Sequence, residues 1–397
     1  MSADLSTSRT DAAPPKTRGR AGRRIIRLSW MAAIAVVALA VPAGAYGVAH
    51  GFITHGNRPV NSPPSAIKYQ VGRHSVVSHA GSSVRAATSG TGYDAYVALA
   101  GGYSIAEVDV STDTIISDSI SADTPEGVAV TPDGSQIFVA ETGQYQVIAV
   151  NPTTLAETPI FVGAYPQDVA VSPDGSVVYA TVTGGDTGAG GSDVVAVIST
   201  STDTVVGDIT VGTAPRQVVF SPGGATAYVS TEDGVDVIDT ASQSVVARIP
   251  DPSGPQGLAL SPDGSTLYVT NPALDSVWVI DTATDHLTGT ISTGAEPYGV
   301  AITPDGTQGY VTDMNADTVS VFDTATDAVT ATIPVGHLPS AVAIVPDGSQ
   351  VWVGNILDGD ITVIDPATNT VSGTITGGTG TATLDAQPLS IAFTAAP

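Results

Sequence analysis

The chain has 397 residues and no cysteine, which excludes a disulfide framework, thiolate metal sites and a cysteine nucleophile. Its formal charge of −25 is unevenly spread: eleven of thirteen basic residues precede Asp94, whereas thirty-six of thirty-eight acids lie at or after it, leaving that part at −34. Such a surface repels phosphate backbones and excludes nucleic acid as an expected partner, and a composition rich in Val, Ile, Thr, Gly and Pro but poor in aromatics favours short strands and turns over helices.

Residues 1–27 form a basic segment containing Arg18, Arg20, Arg23, Arg24 and Arg27, followed by 22 uncharged residues at 28–49. Two readings of 28–49 stay open. The dense apolar part from Trp30 to Val41, with Pro42 and the small residues 43–45 behind it, suits a cleaved signal peptide. The whole run is also long enough for a retained transmembrane signal anchor. Both place the rest of the chain outside the cytoplasm, secreted or anchored to the cell membrane, because the arginine cluster stays inside. Residues 50–93 contain no acid and no sustained period, and read as a disordered linker. His50, His55, His74 and His79 within it lack the spacing of a metal site.

From 94 to 397 a motif typified by Leu267-Tyr-Val-Thr-Asn271 recurs. Its aromatic slot is filled by Tyr96, Phe138, Tyr179, Tyr228, Tyr268, Tyr310 and Trp352, at intervals of 42, 41, 49, 40, 42 and 42 residues. A period of ~40 to 45 residues with four short strands per unit is the signature of a β-propeller blade. In residues 257–291 the first strand ends at Pro262-Asp263-Gly264, the motif forms the second, and Asp281 opens the turn between the third and fourth. The Asp residues of both turns read as turn builders. The predicted fold is all-β: a seven-bladed propeller of four-stranded antiparallel blades. The C-terminal strand, 389–394, supplies the first strand of the N-terminal blade and closes the ring.

With these motifs, Val279-Ile-Asp-Thr-Ala-Thr-Asp285 and Val169-Ala-Val-Ser-Pro-Asp-Gly175, the chain resembles the YVTN-repeat β-propellers, a family associated with surface and exported proteins. The resemblance implies the fold strongly and the function weakly, because propellers host unrelated activities. Lactonase-like relatives often show Pro-His before the first strand of a blade. Here Pro125, Pro166, Pro215, Pro255, Pro297, Pro339 and Pro388 are followed by Glu126, Gln167, Arg216, Gln256, Tyr298, Ser340 and Leu389. Only His286 and His337 lie in the ring, too few for a multi-copper centre.

By analogy with other propellers the positions after the prolines ring one mouth of the central channel, and Glu126, Gln167, Arg216, Gln256, Tyr298 and Ser340 are the candidate ligand-binding residues. The loops after each motif should share that face; the one at 182–193 is enlarged, and a second long connection runs from 376 to 387. Tyr103, Tyr145 and Tyr165 in these loops are candidate contacts to a protein or glycan at the cell surface. Asp186, Asp193, Asp275, Asp313, Asp317, Asp358 and Asp360 offer a weak Ca²⁺ signal without a contiguous binding loop; no metal site and no other cofactor is expected. The expectation is an exported or membrane-tethered, monomeric, non-catalytic binding module. The alternative is a lactonase-like hydrolase or lyase with Glu126 as acid or base and Arg216 stabilising charge.

Overall fold

The computed structural model describes residues 92–184, 193–251, 253–376 and 387–394. The basic segment, the apolar segment 28–49, the linker up to residue 91, and the tips of both long loops lie outside the described residues. Among those described, no helix is long and apolar enough to cross a membrane. Ahead of the first strand, the Tyr93 carbonyl accepts the Val110 amide at 3.2 Å.

Among the described residues twenty-eight strands form seven four-stranded antiparallel sheets. Blade 1 pairs Pro388–Phe393 with Asp94–Leu99, followed by Ser104–Asp109 and Thr114–Ser121. Blades 2 to 7 are sequential meanders over residues 125–161, 166–210, 218–250, 258–292, 297–334 and 339–375. Innermost strands of neighbouring blades touch in an unbroken circle, from Pro388–Phe393 through Pro125–Val130 round to Pro339–Ile344 and back. The chain ends thus meet inside one sheet, as the seven copies of the motif require.

The aromatic slot explains how blades stack. Each of the seven aromatics is at most 3 % exposed and packs on the next blade: Tyr96 on Val128 and Val139, Phe138 on Val169 and Val178, Tyr179 on Val218 and Val229. Tyr228 meets Leu258 and Val269, Tyr268 meets Val300 and Val311, and Tyr310 meets Val351 and Val353. Trp352 completes the circle against Ala95 and Val97 of blade 1, with Phe393 edge-on at 5.3 Å between ring centroids. Full burial of such a side chain contributes about 2–3 kcal/mol, so each blade's second strand joins it to its neighbour. Alternation supplies the rest, because successive residues face opposite sides of a sheet buried on both.

Local chemistry separates the two faces of the ring. On the lower face Asp133 accepts the Ser135 amide at 3.0 Å and the Thr131 hydroxyl at 2.7 Å, and Asp174, Asp263 and Asp305 repeat the pattern. These hydrogen bonds, led by those from the turn hydroxyls, hold Asp174 and Asp263 down at about 2, as they do Asp133. The turns after the third strands behave alike: Asp281 and Asp323 accept Thr284 and Thr326 amides at 2.9 Å. On the upper face the inner strand begins at its proline opposite the end of the second strand, Pro125 against Glu141 and Pro297 against Asp313. The loops after each motif and the prolines therefore share one face, as the sequence predicts.

Candidate functional site at the channel mouth

Two backbone features set the mouth. Every residue before a ring proline has positive φ: Thr124, Tyr165, Ala214, Gly254, Glu296, Leu338 and Gln387, between +47° and +75°. Directly after the proline the pairing slips by a bulge in blades 1, 2, 3, 6 and 7. A bulge re-aims the side chains on either side of it, so the residue after the proline leaves the regular alternation.

The fourth residue of the motif locks this geometry between blades. The hydroxyls of Thr181, Ser230, Thr270 and Thr312 donate to the carbonyls of Arg216, Gln256, Tyr298 and Ser340 in the following blade, at 2.6, 2.7, 2.6 and 2.9 Å. Each also accepts an amide from its own inner strand, from Asp168, Gln217, Gly257 and Gly299 respectively, at 2.7 to 3.1 Å. Four of the post-proline residues are thereby held by their own carbonyls. The residue two after the proline adds a second crosslink: Asp168 accepts the Val218 amide at 3.1 Å, Gln217 accepts Leu258 at 2.6 Å and Ser390 accepts Val128 at 3.2 Å.

Among the predicted site residues, Glu126 of blade 2 and Arg216 of blade 4 both act electrostatically on Tyr298 of blade 6, as does Asp168 of blade 3. Burial raises the Tyr298 phenol above the usual tyrosine range; the charges of Glu126 and Asp168 push it further up, while Arg216 pulls it back. Tyr298 keeps 39 % of its surface open, yet it behaves as a desolvated group. A channel admits water to the ring while protein surrounds it on all sides. Burial likewise lifts Glu126 to about 7. It lifts Asp168 to about 7 against the lowering effect of the Val218 and Val169 amides. Gly127 makes room for this carboxylate, since a Cβ there would stand 2.7 Å from Asp168 Oδ1.

The ring has two arginines, and they differ sharply. Arg248 is bidentate on buried Asp236, at 2.5 and 2.9 Å. Arg216 makes no ion pair among the described residues, and its buried Nε has no hydrogen-bond partner. Burial alone raises the Glu126 carboxyl, and neither Arg216 nor Asp168 acts on it.

The remaining predicted residues are placed differently. Gln167 Nε2 turns back to the Tyr165 carbonyl at 3.5 Å, and Gln256 Nε2 to the Gly254 carbonyl at 3.4 Å. Ser340 is 2 % exposed and directs its hydroxyl to the Pro388 carbonyl at 3.4 Å, away from the opening. Asp168 is the residue that sequence reasoning missed. A signal existed, because the other residues two after a ring proline are Gly127, Gln217, Gly257, Gly299, Ala341 and Ser390, none of them charged.

In the upper loops Tyr145 and Tyr165 form an edge-to-face pair 5.3 Å apart, both exposed, with Phe161 exposed near them and Tyr103 exposed in blade 1. The loop aspartates considered for Ca²⁺ are engaged in local bonds. Asp193, Asp275 and Asp317 accept the amides of Ala214, Glu296 and Leu338, the strained residues before the prolines, at 2.7 to 3.0 Å. Asp358 pairs with His337 at 3.0 Å, and Asp313 accepts Ser320 and Gly294. Asp360 accepts Asn355 at 2.7 Å; Asp186 lies outside the described residues. Among the described residues no group of three or more His, Asp or Glu side chains could hold a metal ion. Two clefts of about 260 and 420 Å³ open on the lower face, lined by Asp133 and Asp174 and by Asp305 and Asp347. Those side chains are committed to their own turns; among the described residues, buried carboxylate oxygens without a partner occur in the turns after the third strands, at Asp113, Asp285 and Asp327, and at Glu296, as well as the unpartnered Arg216 Nε at the mouth.

A chain of hydrazine synthase from Kuenenia stuttgartiensis is similar at 26 % identity and a TM-score of 0.62, over 68 % of this chain and 91 % of that one. A functionally unknown protein from Desulfotomaculum acetoxidans shares the fold, with a TM-score of 0.64 at 15 % identity, over 77 % of this chain and 99 % of that one. No curated protein sequence matches the chain. The sequence profile of the choice-of-anchor I domain matches residues 126–338, more than half of the 397. The chain belongs to the choice-of-anchor I domain family.

Proposed function

We propose that this protein is an exported, surface-associated propeller of YVTN type that binds a small polar ligand at the upper channel mouth without transforming it. The observation that carries this reading is the buried, unpartnered Arg216 Nε at the mouth, where the charges of Glu126, Asp168 and Arg216 all act on the Tyr298 phenol. Buried polar groups without partners are costly unless a ligand or water completes them, and a mostly rigid, mixed-polarity concavity is where small ligands bind. The word anchor in the family's name supports surface association. The basic segment ahead of an uncharged run supports export. The Tyr145–Tyr165 pair, beside exposed Phe161, provides a separate aromatic patch for a protein or glycan partner of a monomeric ring.

One observation favours a second reading. A carboxyl poised at about 7 is suited to general acid or base work at neutral pH, so Glu126 could serve a hydrolase or lyase, with Arg216 stabilising negative charge.

The test combines calorimetric titration of the purified propeller with turnover assays on lactones. Binding of a small ligand that Glu126→Gln and Arg216→Gln both weaken, with no lactone turnover, supports the binding module. Turnover abolished by Glu126→Gln overturns it in favour of the enzyme. Ligand binding left unchanged by both substitutions overturns the mouth as the site. Protease shaving of intact cells tests exposure on the outside, and a protein found only in the cytoplasm contradicts export.

A further inference from the structure

Tyr103, Tyr145, Asp193, Asp233, Asp275 and Asp317 occupy one slot in six blades: the carbonyl of each accepts the amide that opens the linker to the next blade, at 3.0 to 3.4 Å. At Asp275 and Asp317 the backbone is left-handed, φ +49° and +55°, a conformation that a short polar side chain tolerates. There the carboxylate also caps the amide of the residue before the next proline, Glu296 or Leu338, at 2.9 and 3.0 Å. Tyr103 and Tyr145 adopt the same backbone, φ +54° and +60°, which a bulky side chain enters only under strain. A tyrosine has no carboxylate to serve as the cap.

Where blade 2 meets blade 3, both halves of this device are tyrosine. Tyr165, the residue before Pro166, stands at φ +50°, and in place of a cap the Tyr145 and Tyr165 rings meet edge-to-face, 5.3 Å between centroids and 80° between planes. Both backbones are pinned, the Tyr145 carbonyl by the Val162 amide at 3.4 Å and the Tyr165 carbonyl by the Thr183 amide at 3.2 Å. The rings nonetheless stay 41 % and 39 % exposed. Strain held at two facing bulky residues, without full burial in return, points to a role in contact. In an edge-to-face pair the ring that presents its edge keeps its own faces open.

Area and charge select the occupant. With Phe161 added, the exposed aromatic surface is roughly 300 Å², at about 200 Å² per side chain, well short of the ~800 Å² that each partner of a stable protein complex covers. It is the size of a short saccharide. No Lys or Arg lies between residues 94 and 215, so an anionic glycan finds no counter-charge there. No carboxylate or cationic group acts on the Tyr145 phenol, which is raised by its Tyr165 neighbour, so nothing favours a charged ligand of either sign. Gln167 Nε2 lies 3.5 Å from the Tyr165 carbonyl, a long contact that a sugar hydroxyl can replace. We infer that Tyr145 and Tyr165 form a stacking platform for a neutral glycan, whose apolar C–H face rests on the open ring face while the Gln167 amide bonds a hydroxyl. This commits the aromatic patch of the proposed function to one class of ligand, and rests on that patch and not on the channel mouth.

The experiment titrates the full-length protein by calorimetry with cellopentaose, maltopentaose, xylopentaose and mannopentaose, with pentagalacturonate as the anionic probe and decaproline as the peptide probe. At least one neutral glycan is expected to bind, and pentagalacturonate about ten-fold or more weaker. Tyr145→Asp installs the side chain that other blades carry in this slot. It is expected to weaken glycan binding about ten-fold or more without lowering the thermal midpoint, whereas Tyr145→Phe keeps the ring and is expected to stay within about three-fold of the parent. A midpoint lowered by Tyr145→Asp would show that the pair serves packing and would overturn the platform. Binding unaffected by Tyr145→Asp, preference for pentagalacturonate or decaproline over every neutral glycan, or no binding of any probe overturns it equally. A loss with Tyr145→Phe as large as with Tyr145→Asp overturns stacking in favour of a bond to the phenol. Glycan binding that Arg216→Gln weakens and Tyr145→Asp does not overturns the platform while sustaining the mouth as a ligand site.

Discussion

The Thr270 hydroxyl in blade 5 donates to the Tyr298 carbonyl in blade 6 at 2.6 Å while accepting the Gly257 amide at 2.7 Å. One buried side chain therefore ties two blades together and fixes the residue that faces the mouth charges. Thr270→Val keeps the shape and removes both bonds, leaving a buried amide and a buried carbonyl without partners. The expected loss is about 1–3 kcal/mol in denaturant unfolding, together with weaker binding at the mouth through a loosened Tyr298. An unchanged midpoint would show that the bond adds nothing beyond packing.

Gly264 has φ +72°, and a Cβ there would come within 2.8 Å of the Pro222 ring in the preceding blade. Gly264→Ala adds left-handed strain of roughly 1–2 kcal/mol to that clash. A fall in thermal midpoint larger than for Gly134→Ala is expected, because a Cβ on Gly134 meets nothing within 4 Å at a similar φ of +69°. Equal effects of the two substitutions would mean that the inter-blade contact has no influence.

Glu126 holds its proton up to about 7 in the folded ring, against 4.5 for the free side chain. Between those values the native state binds a proton that the unfolded chain has released, so this group's contribution to stability falls as pH rises through the window, and levels off above it. Glu126→Gln removes that dependence. The variant is expected to gain about 1–2 kcal/mol at pH ~8, a figure reduced for water in the channel, and nothing at pH ~4. A loss of stability at the higher pH would contradict the burial of an unpaired carboxyl.

Deleting residues 389–397 removes nearly all of the inner strand of blade 1. It unpairs Asp94–Leu99 on that side, strips Trp352 of Phe393, and removes the Ser390 acceptor of the Val128 amide. Loss of cooperative unfolding of the whole ring is expected in calorimetry. A truncated chain that melts with the full-length transition would contradict closure by the terminal strand.

The architecture was legible because the blades write their contacts locally: an aromatic slot recurs in all seven, a Pro-Asp-Gly turn in five and an Asp at the end of the third strand in five. The mouth was only half legible. Glu126, Arg216 and Tyr298 follow from their place after a proline, but Ser340 occupies the same slot and is buried on the Pro388 carbonyl. Asp168, one residue further on, joins the mouth charges instead. No residue type marks which of the two successive side chains after the proline does so. The loop aspartates illustrate the converse: grouped in sequence like ion ligands, Asp193, Asp275 and Asp317 each cap one strained amide in the neighbouring linker.

The desolvation of the mouth carboxyls is most directly tested by following the side-chain carboxyl ¹³C resonances of Glu126 and Asp168 between about pH 3 and pH 9. Both carboxyls are expected to titrate near 7 in the folded protein. Titration of both near 4, the ordinary range for free carboxylates, would contradict it.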